Sequence, residues 1–173
     1  MLRIDVPEGR DPLLHLWTGT GNELTGPAAA FSDAVYRKST LPLREFEAAR
    51  ITVARVNQCV ICLNLRPEGG PDQAFYDAVQ AGSEGGLTER EALAAEFARR
   101  FAADHLGMDD AFWARLHAAF SDDELVQLGL CTGSWLAFGR LNQVFGVDQA
   151  CRIPLAPHGP GRPHGPGRPH ERG

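Results

Sequence analysis

Two cysteines separated by two residues, Cys59-Val60-Ile61-Cys62, are the part of this chain best suited to chemistry. Residues three apart on a helix share a face with Cα atoms roughly 5–6 Å apart, the separation a disulfide spans. Such a pair opens and closes without refolding, so the spacing points to redox chemistry. A thiol attacks only as the thiolate, and a helix N-terminus favours the thiolate by presenting unpaired N–H groups and positive dipole to the sulfur. Asn57 is a good N-cap, so a break there starts a new helix with both cysteines in its first two turns. A helix running straight through Asn57 would remove that advantage. By the helix terminus alone, Cys59 is the favoured nucleophile.

Glu47 is the candidate base, twelve residues before Cys59. Along a continuous helix that separation is about 18 Å, too far for proton transfer. A reversal near Asn57-Gln58 would bring the carboxylate to the sulfurs, where burial would raise its pKa toward neutrality. Without the reversal Glu47 is a solvated or helix-pairing carboxylate. A metal reading of the cysteines is weak, because structural zinc takes four ligands and the chain has no second C-x-x-C and no H-x-x-x-H. Cys131, Cys151 and His105 or His117 would have to be assembled by folding, and no metal or cofactor is expected. Cys131 and Cys151 read as small thiols without a chemical role. The pair is not set in a βαβ pattern, which argues against a thioredoxin fold.

The elements that position these residues read as helices. At 173 residues with 43% hydrophobic composition the chain suits one domain with an ordinary core. No stretch alternates with period two, whereas nearly every segment between Gly and Pro breaks carries apolar residues at helical spacing, so the fold class is all-α. Leu13 to Trp17 reads as a short turn in an N-terminal segment, 1–25. Helices are expected over Ala28 to Arg37 and Leu43 to Gln58, the second central because Phe46, Ile51, Val53, Ala54 and Val56 cover most of its circumference. Asp72 caps a helix through Ala81, and Thr88-Glu89-Arg90-Glu91 forms a capping box before Leu93, Phe97 and Phe101. A short helix spans Ala111 to Ala119. A second capping box at Ser121 to Glu124 opens a long helix to Phe145, whose Leu125, Leu128, Trp135, Phe138, Leu141 and Phe145 read as core or subunit interface.

The helical domain covers 26–156, and a disordered tail, 157–173, repeats Gly-Pro-Gly-Arg-Pro-His. His158, His164 and His170 belong to that solvated tail. The net charge of -5 argues against a nucleic-acid partner and leaves a small molecule as the better one. The start, interrupted by Asp5, Glu8, Arg10 and Asp11, has no apolar leader, and no run is long enough for a membrane span, so a cytoplasmic protein without a membrane partner is expected. In that compartment four cysteines are reduced or catalytic rather than a disulfide framework.

The segment Arg44-Glu45-Phe46-Glu47 through Asn57-Gln58-Cys59-Val60-Ile61-Cys62 resembles the signature of the alkylhydroperoxidase D-like, carboxymuconolactone decarboxylase superfamily. The runs from Leu87 to Glu91, Phe120 to Val126 and Asn142 resemble the rest of that domain, over about residues 26–150. The resemblance implies an all-helical domain that assembles as homo-trimers or hexamers, with the cysteine pair reducing peroxides or disulfides at the expense of a thiol reductant. It also implies that Cys62 is the attacking thiolate, Cys59 its resolving partner, and Glu47 the functional carboxylate. The chain departs from the pattern where peroxidase members carry histidines, with Arg66 four residues after Cys62 and Ile61 just before it. Arg66 does not deprotonate at neutral pH and so relays no proton, but its charge can stabilise a thiolate or a substrate anion.

The leading expectation is a thiol-dependent peroxide or disulfide reductase. The alternatives are a non-redox, decarboxylase-like or isomerase-like enzyme that binds a small acid through Arg66 or another arginine, and a redox-sensing helical oligomer without turnover.

Overall fold

The computed structural model describes residues 1–82 and 85–147. Cys151 and the Gly/Pro/Arg/His tail lie outside them. The described residues form eight α-helices, one 3-10 turn at His105–Gly107, and no strand. The helices are α1 (Pro12–Thr18), α2 (Thr25–Lys38), α3 (Leu43–Val56), α4 (Val60–Asn64), α5 (Gln73–Ala81), α6 (Glu89–Ala103), α7 (Asp110–Ala119) and α8 (Asp122–Val144).

The core is built around α3, which packs against α5, α6 and α8. Every residue of α3 from Glu45 to Ala54 is buried, which is what apolar positions all round a helix dictate. From α6, Leu93 and Phe97 are buried and Phe101 packs at the edge of the same cluster. Phe112 and Leu116 of α7 and Leu125, Leu128 and Trp135 of α8 complete it.

Both expected capping boxes form. Thr88 and Glu91 exchange side-chain and backbone bonds at the start of α6, as do Ser121 and Glu124 at the start of α8. The Ser121 backbone N–H holds the Glu124 carboxyl below the usual carboxylate range, and Arg90 adds to the effect. Because the folded pKa lies below the unfolded one, this stabilisation is present above the ordinary carboxylate range and is lost as pH falls through the lowered value. Ser121→Ala is expected to cost about 1 kcal/mol. Urea midpoints at pH 7 should show that cost.

Two expectations are corrected at the N-terminus. The segment read as a short turn is helix α1, because Asp11 accepts from the Leu14 N–H as N-cap and Pro12 stands at the first helical position. Helix α2 starts at Thr25, three residues before Ala28, and accommodates Pro27 in its first turn, where no intrahelical N–H bond is lost. Leu13 and Leu16 pack with Val147 and Phe145 in a second small cluster, and the Arg3 N–H donates to the Phe145 carbonyl at 3.0 Å. The first residues are thereby held against the end of α8. Among the described residues no helix is long and apolar enough to cross a membrane.

Candidate functional site

The chain breaks where redox chemistry needs it to. Helix α3 stops at Val56 rather than Gln58, Asn57 is its C-cap, Gln58 takes the left-handed conformation with φ 53°, and Cys59 becomes the N-cap of α4. Asn57 therefore ends one helix instead of starting the next, which corrects its expected role. Gln58 is the one non-glycine residue with positive φ among those described, a conformation that persists only when its surroundings over-determine it. Asn57 supplies that constraint: its Nδ2 donates to the Trp135 carbonyl at 3.0 Å and to the Leu136 carbonyl at 3.4 Å. The space for its amide comes from Gly139, where any Cβ would collide with Nδ2. Gly139→Ala is expected to displace Asn57 and loosen the break, costing about 1–3 kcal/mol as an overpacked core site; thermal unfolding would register the loss, and Gly139→Ser should be no better tolerated.

Cys59 and Cys62 have Cα atoms 5.3 Å apart and are joined as a disulfide. The Cys62 N–H donates to Cys59 Sγ at 3.2 Å. Cys59 is only 3% exposed, whereas Cys62 is partly exposed and lines a cavity. The helix terminus thus serves Cys59, and access serves Cys62.

Glu47 is fully buried, at 0% exposure, and pairs with Arg50, at 2%. The guanidinium meets the carboxylate through two bonds, Nε to Oε1 and Nη2 to Oε2, each 2.7 Å. The Tyr76 hydroxyl donates to the same Oε2 at 2.8 Å. Burial raises the Tyr76 pKa, and the Glu47 charge raises it further, so this phenol stays a neutral donor.

Arg50 then reaches the redox turn, with Nη1 on the Cys62 carbonyl at 2.8 Å and Nη2 on the Leu65 carbonyl at 2.9 Å. Arg66 donates through Nη1 to the carbonyls of Leu63 at 2.6 Å and Leu65 at 3.0 Å, and its guanidinium stacks 3.8 Å over the Tyr76 ring. The last carbonyls of a short helix have no intrahelical partner. Here two arginines satisfy them and tie the cysteine turn to α3 and α5.

Glu47 is therefore connected to Cys62 through Arg50 and the backbone. Arg66, by contrast, is not among the residues that line the cavity beside Cys62. The sequence reading missed Arg50 and Tyr76. The Glu-x-x-Arg spacing on a helix with no polar face was the available signal for Arg50, since a charge there must be paired if it is buried.

The cavity has a volume of about 330 Å³ and lies between α1, α2, α3 and α8, with Cys62 and Ile61 at one side. Tyr36, Trp17, Trp135 and Phe138 give it an aromatic wall. Trp17 and Phe138 meet edge to face at 5.1 Å, and the Trp17 indole N–H donates to Asn142 Oδ1 at 3.2 Å. Trp135 and Phe138, read from sequence as core or interface, thus line the cavity as well. Two residues of this lining carry buried polar atoms with no protein partner: Asn57 Oδ1 and Ser134 Oγ.

Cys131 is not among the residues that line the cavity. It is buried, and burial pushes its thiol up to about 11. An alkylating reagent at pH 8 is expected to leave Cys131 unmodified in the folded protein and to label it in denaturant, read by mass spectrometry of the tryptic peptide.

No protein-family model matches the chain, and no curated protein matches it significantly. A search of solved structures matches the crystal structure of a protein of unknown function from Agrobacterium tumefaciens, described as a candidate antioxidant defence protein AhpD. The two are 20% identical, with a TM-score of 0.61, over 72% of this chain and 88% of that one. The chain has the all-helical alkylhydroperoxidase D-like fold, and Cys62 of its C-x-x-C pair sits at the wall of the cavity.

Proposed function

We propose that the protein is a dithiol reductase that consumes a small peroxide or disulfide at Cys62. One observation carries the reading: Cys62 opens onto the cavity while Cys59 waits behind it at disulfide distance. In the peroxide case the Cys62 thiolate attacks the outer peroxide oxygen. The O–O bond breaks, an alkoxide leaves, and Cys62 becomes a sulfenic acid. The Cys59 thiol then displaces hydroxide from that sulfur, closing the disulfide with release of water. A disulfide substrate would instead form a mixed disulfide with Cys62, which Cys59 resolves.

Return to the dithiol requires an external thiol reductant. It attacks Cys62, the accessible sulfur, and Cys59 leaves as a thiolate that the Cys62 N–H stabilises. A second reductant thiol then attacks the reductant sulfur of the mixed disulfide, which leaves as the reductant's disulfide and frees the Cys62 thiolate. Glu47 acts in this scheme through Arg50, holding the carbonyls of Cys62 and Leu65 so that the turn keeps its shape as the disulfide opens and closes. Both Glu47 oxygens are occupied by donors, which favours positioning over proton abstraction. Arg66 takes the same part through the carbonyls of Leu63 and Leu65. The non-redox alternative asks Arg66 or another arginine to bind a small acid, a duty that the carbonyl bonds and Tyr76 stacking of Arg66, and the pairing of the cavity-lining Arg50 with Glu47, do not favour.

The test is a thiol count on fully reduced protein given one equivalent of an organic hydroperoxide. The expected result is loss of two thiols per peroxide in native protein and formation of the peptide joining Cys59 to Cys62. Retention of all thiols with peroxides and with small disulfides would sink the reading. The same reading includes a homo-oligomer, for which the exposure of Val126 (61%) and Leu130 (53%), one turn apart on α8, offers an apolar face. Sedimentation should then give a mass above the 18.8 kDa of one chain.

A further inference from the structure

The peroxide branch of the proposed function leaves one proton unassigned. When the O–O bond breaks, an alkoxide forms inside a largely apolar cavity, and protonation there lowers the barrier to its departure. We propose that the Tyr36 hydroxyl is the general acid that protonates this leaving group. The inference rests on the peroxide-reducing reading and adds a catalytic residue to it.

The residues around Cys62 leave few candidates. Among the described residues lining the cavity, those with titratable side chains besides Cys62 are Asp33, Tyr36 and Arg50. Asp33 is engaged by Arg37 through its carboxylate. Arg50 spends four of its five N–H groups on Glu47, Cys62 and Leu65, and a guanidinium does not release a proton at neutral pH. Tyr36 remains.

Tyr36 is also held as an acid should be. Its ring is fixed by edge contacts with Phe46, 5.8 Å between centroids, and by Trp135 at 6.4 Å. Burial keeps the phenol protonated by raising its pKa, the Arg50 charge opposes that rise, and the Glu47 charge supports it. An alkoxide is still a much stronger base than a phenolate, so the transfer runs downhill. The step balances: Cys62 S⁻ and ROOH give Cys62–SOH and RO⁻, the alkoxide takes the Tyr36 proton, and the tyrosinate recovers one from the Cys62 thiol of the next cycle through water.

A peroxy acid provides the control, because its carboxylate leaving group needs no proton. The experiment is single-turnover stopped flow on the reduced full chain with tert-butyl hydroperoxide and with peroxybenzoic acid, comparing wild type and Tyr36→Phe. Tyr36→Phe should slow the alkyl hydroperoxide by about 10²-fold and the peroxy acid by less than about threefold. In the wild type a solvent deuterium isotope effect should accompany the alkyl hydroperoxide and not the peroxy acid, a readout independent of whether the variant folds. Equal slowing of both peroxides, no slowing of either, or equal isotope effects overturns the assignment of Tyr36. A wild-type protein that loses no thiols to either peroxide overturns the peroxide-reducing reading instead.

Discussion

Arg50→Met is expected to lower the stability of the protein by about 3–5 kcal/mol, because it strands the Glu47 carboxylate in the core without its counter-ion. The pair is more deeply buried than any other ion pair between described residues, with side-chain exposures of 2% and 0%. Coulomb attraction and desolvation nearly cancel for such a pair when it is intact, so the large effect appears only when one partner is removed. Arg50→Met also frees the Cys62 and Leu65 carbonyls, so the redox turn should loosen along with the core. For a domain of this size the expected fall in Tm is roughly 6–20 °C. The double variant Glu47→Leu/Arg50→Met separates the two consequences. It removes the stranded charge and should regain most of the stability, since well-packed apolar replacements of buried pairs are often neutral or better. It should not restore the turn, and the thiol–disulfide exchange rate should remain low. A stability loss in Arg50→Met below about 1 kcal/mol would place the pair in the class of solvated surface bridges and contradict its burial.

The parts of the fold written in local sequence were legible, and the parts that depend on distant packing were not. The capping boxes at Thr88 and Ser121 and the all-round apolar surface of α3 each involve residues a few positions apart, and each appears as read. The sequence leaves open whether the helix breaks at Asn57 or runs on through it, and α3 ends at Val56. The chemistry of the break was misassigned, because Asn serves equally at either end of a helix and only the Trp135 and Leu136 carbonyls decide which. Arg50 escaped notice for a related reason. On sequence a Glu-x-x-Arg pair looks like a solvated helix couple, and it is Tyr76 from α5 and the carbonyls after Cys62 that make it internal. The cavity was least accessible of all. Tyr36 and Trp135 come from helices about a hundred residues apart, and periodicity tells which face of a helix is apolar without telling whether that face meets a neighbour or a void.

The two cysteines should fail differently when replaced, and the difference follows from their exposure. Cys62→Ser removes the sulfur that reaches the cavity, and the rate of peroxide consumption should fall on the order of 10³-fold or more, as for loss of a covalent nucleophile. Cys59→Ser leaves that sulfur in place and removes the group that closes the disulfide. This variant should consume a first equivalent of peroxide at nearly the wild-type rate and then stop, with Cys62 held as a sulfenic acid that a cyclic 1,3-dione traps. Excess peroxide should carry the unresolved sulfenic acid on to sulfinic acid, which the wild type avoids because Cys59 intercepts it. If the roles were reversed, as the helix terminus at Cys59 suggests on its own, the trapped adduct would sit on Cys59 in Cys62→Ser. Peptide mass spectrometry of the two adducts decides between access and the helix dipole. Access should win, because the 3% exposure of Cys59 excludes an attacking peroxide more completely than a favourable terminus can attract one.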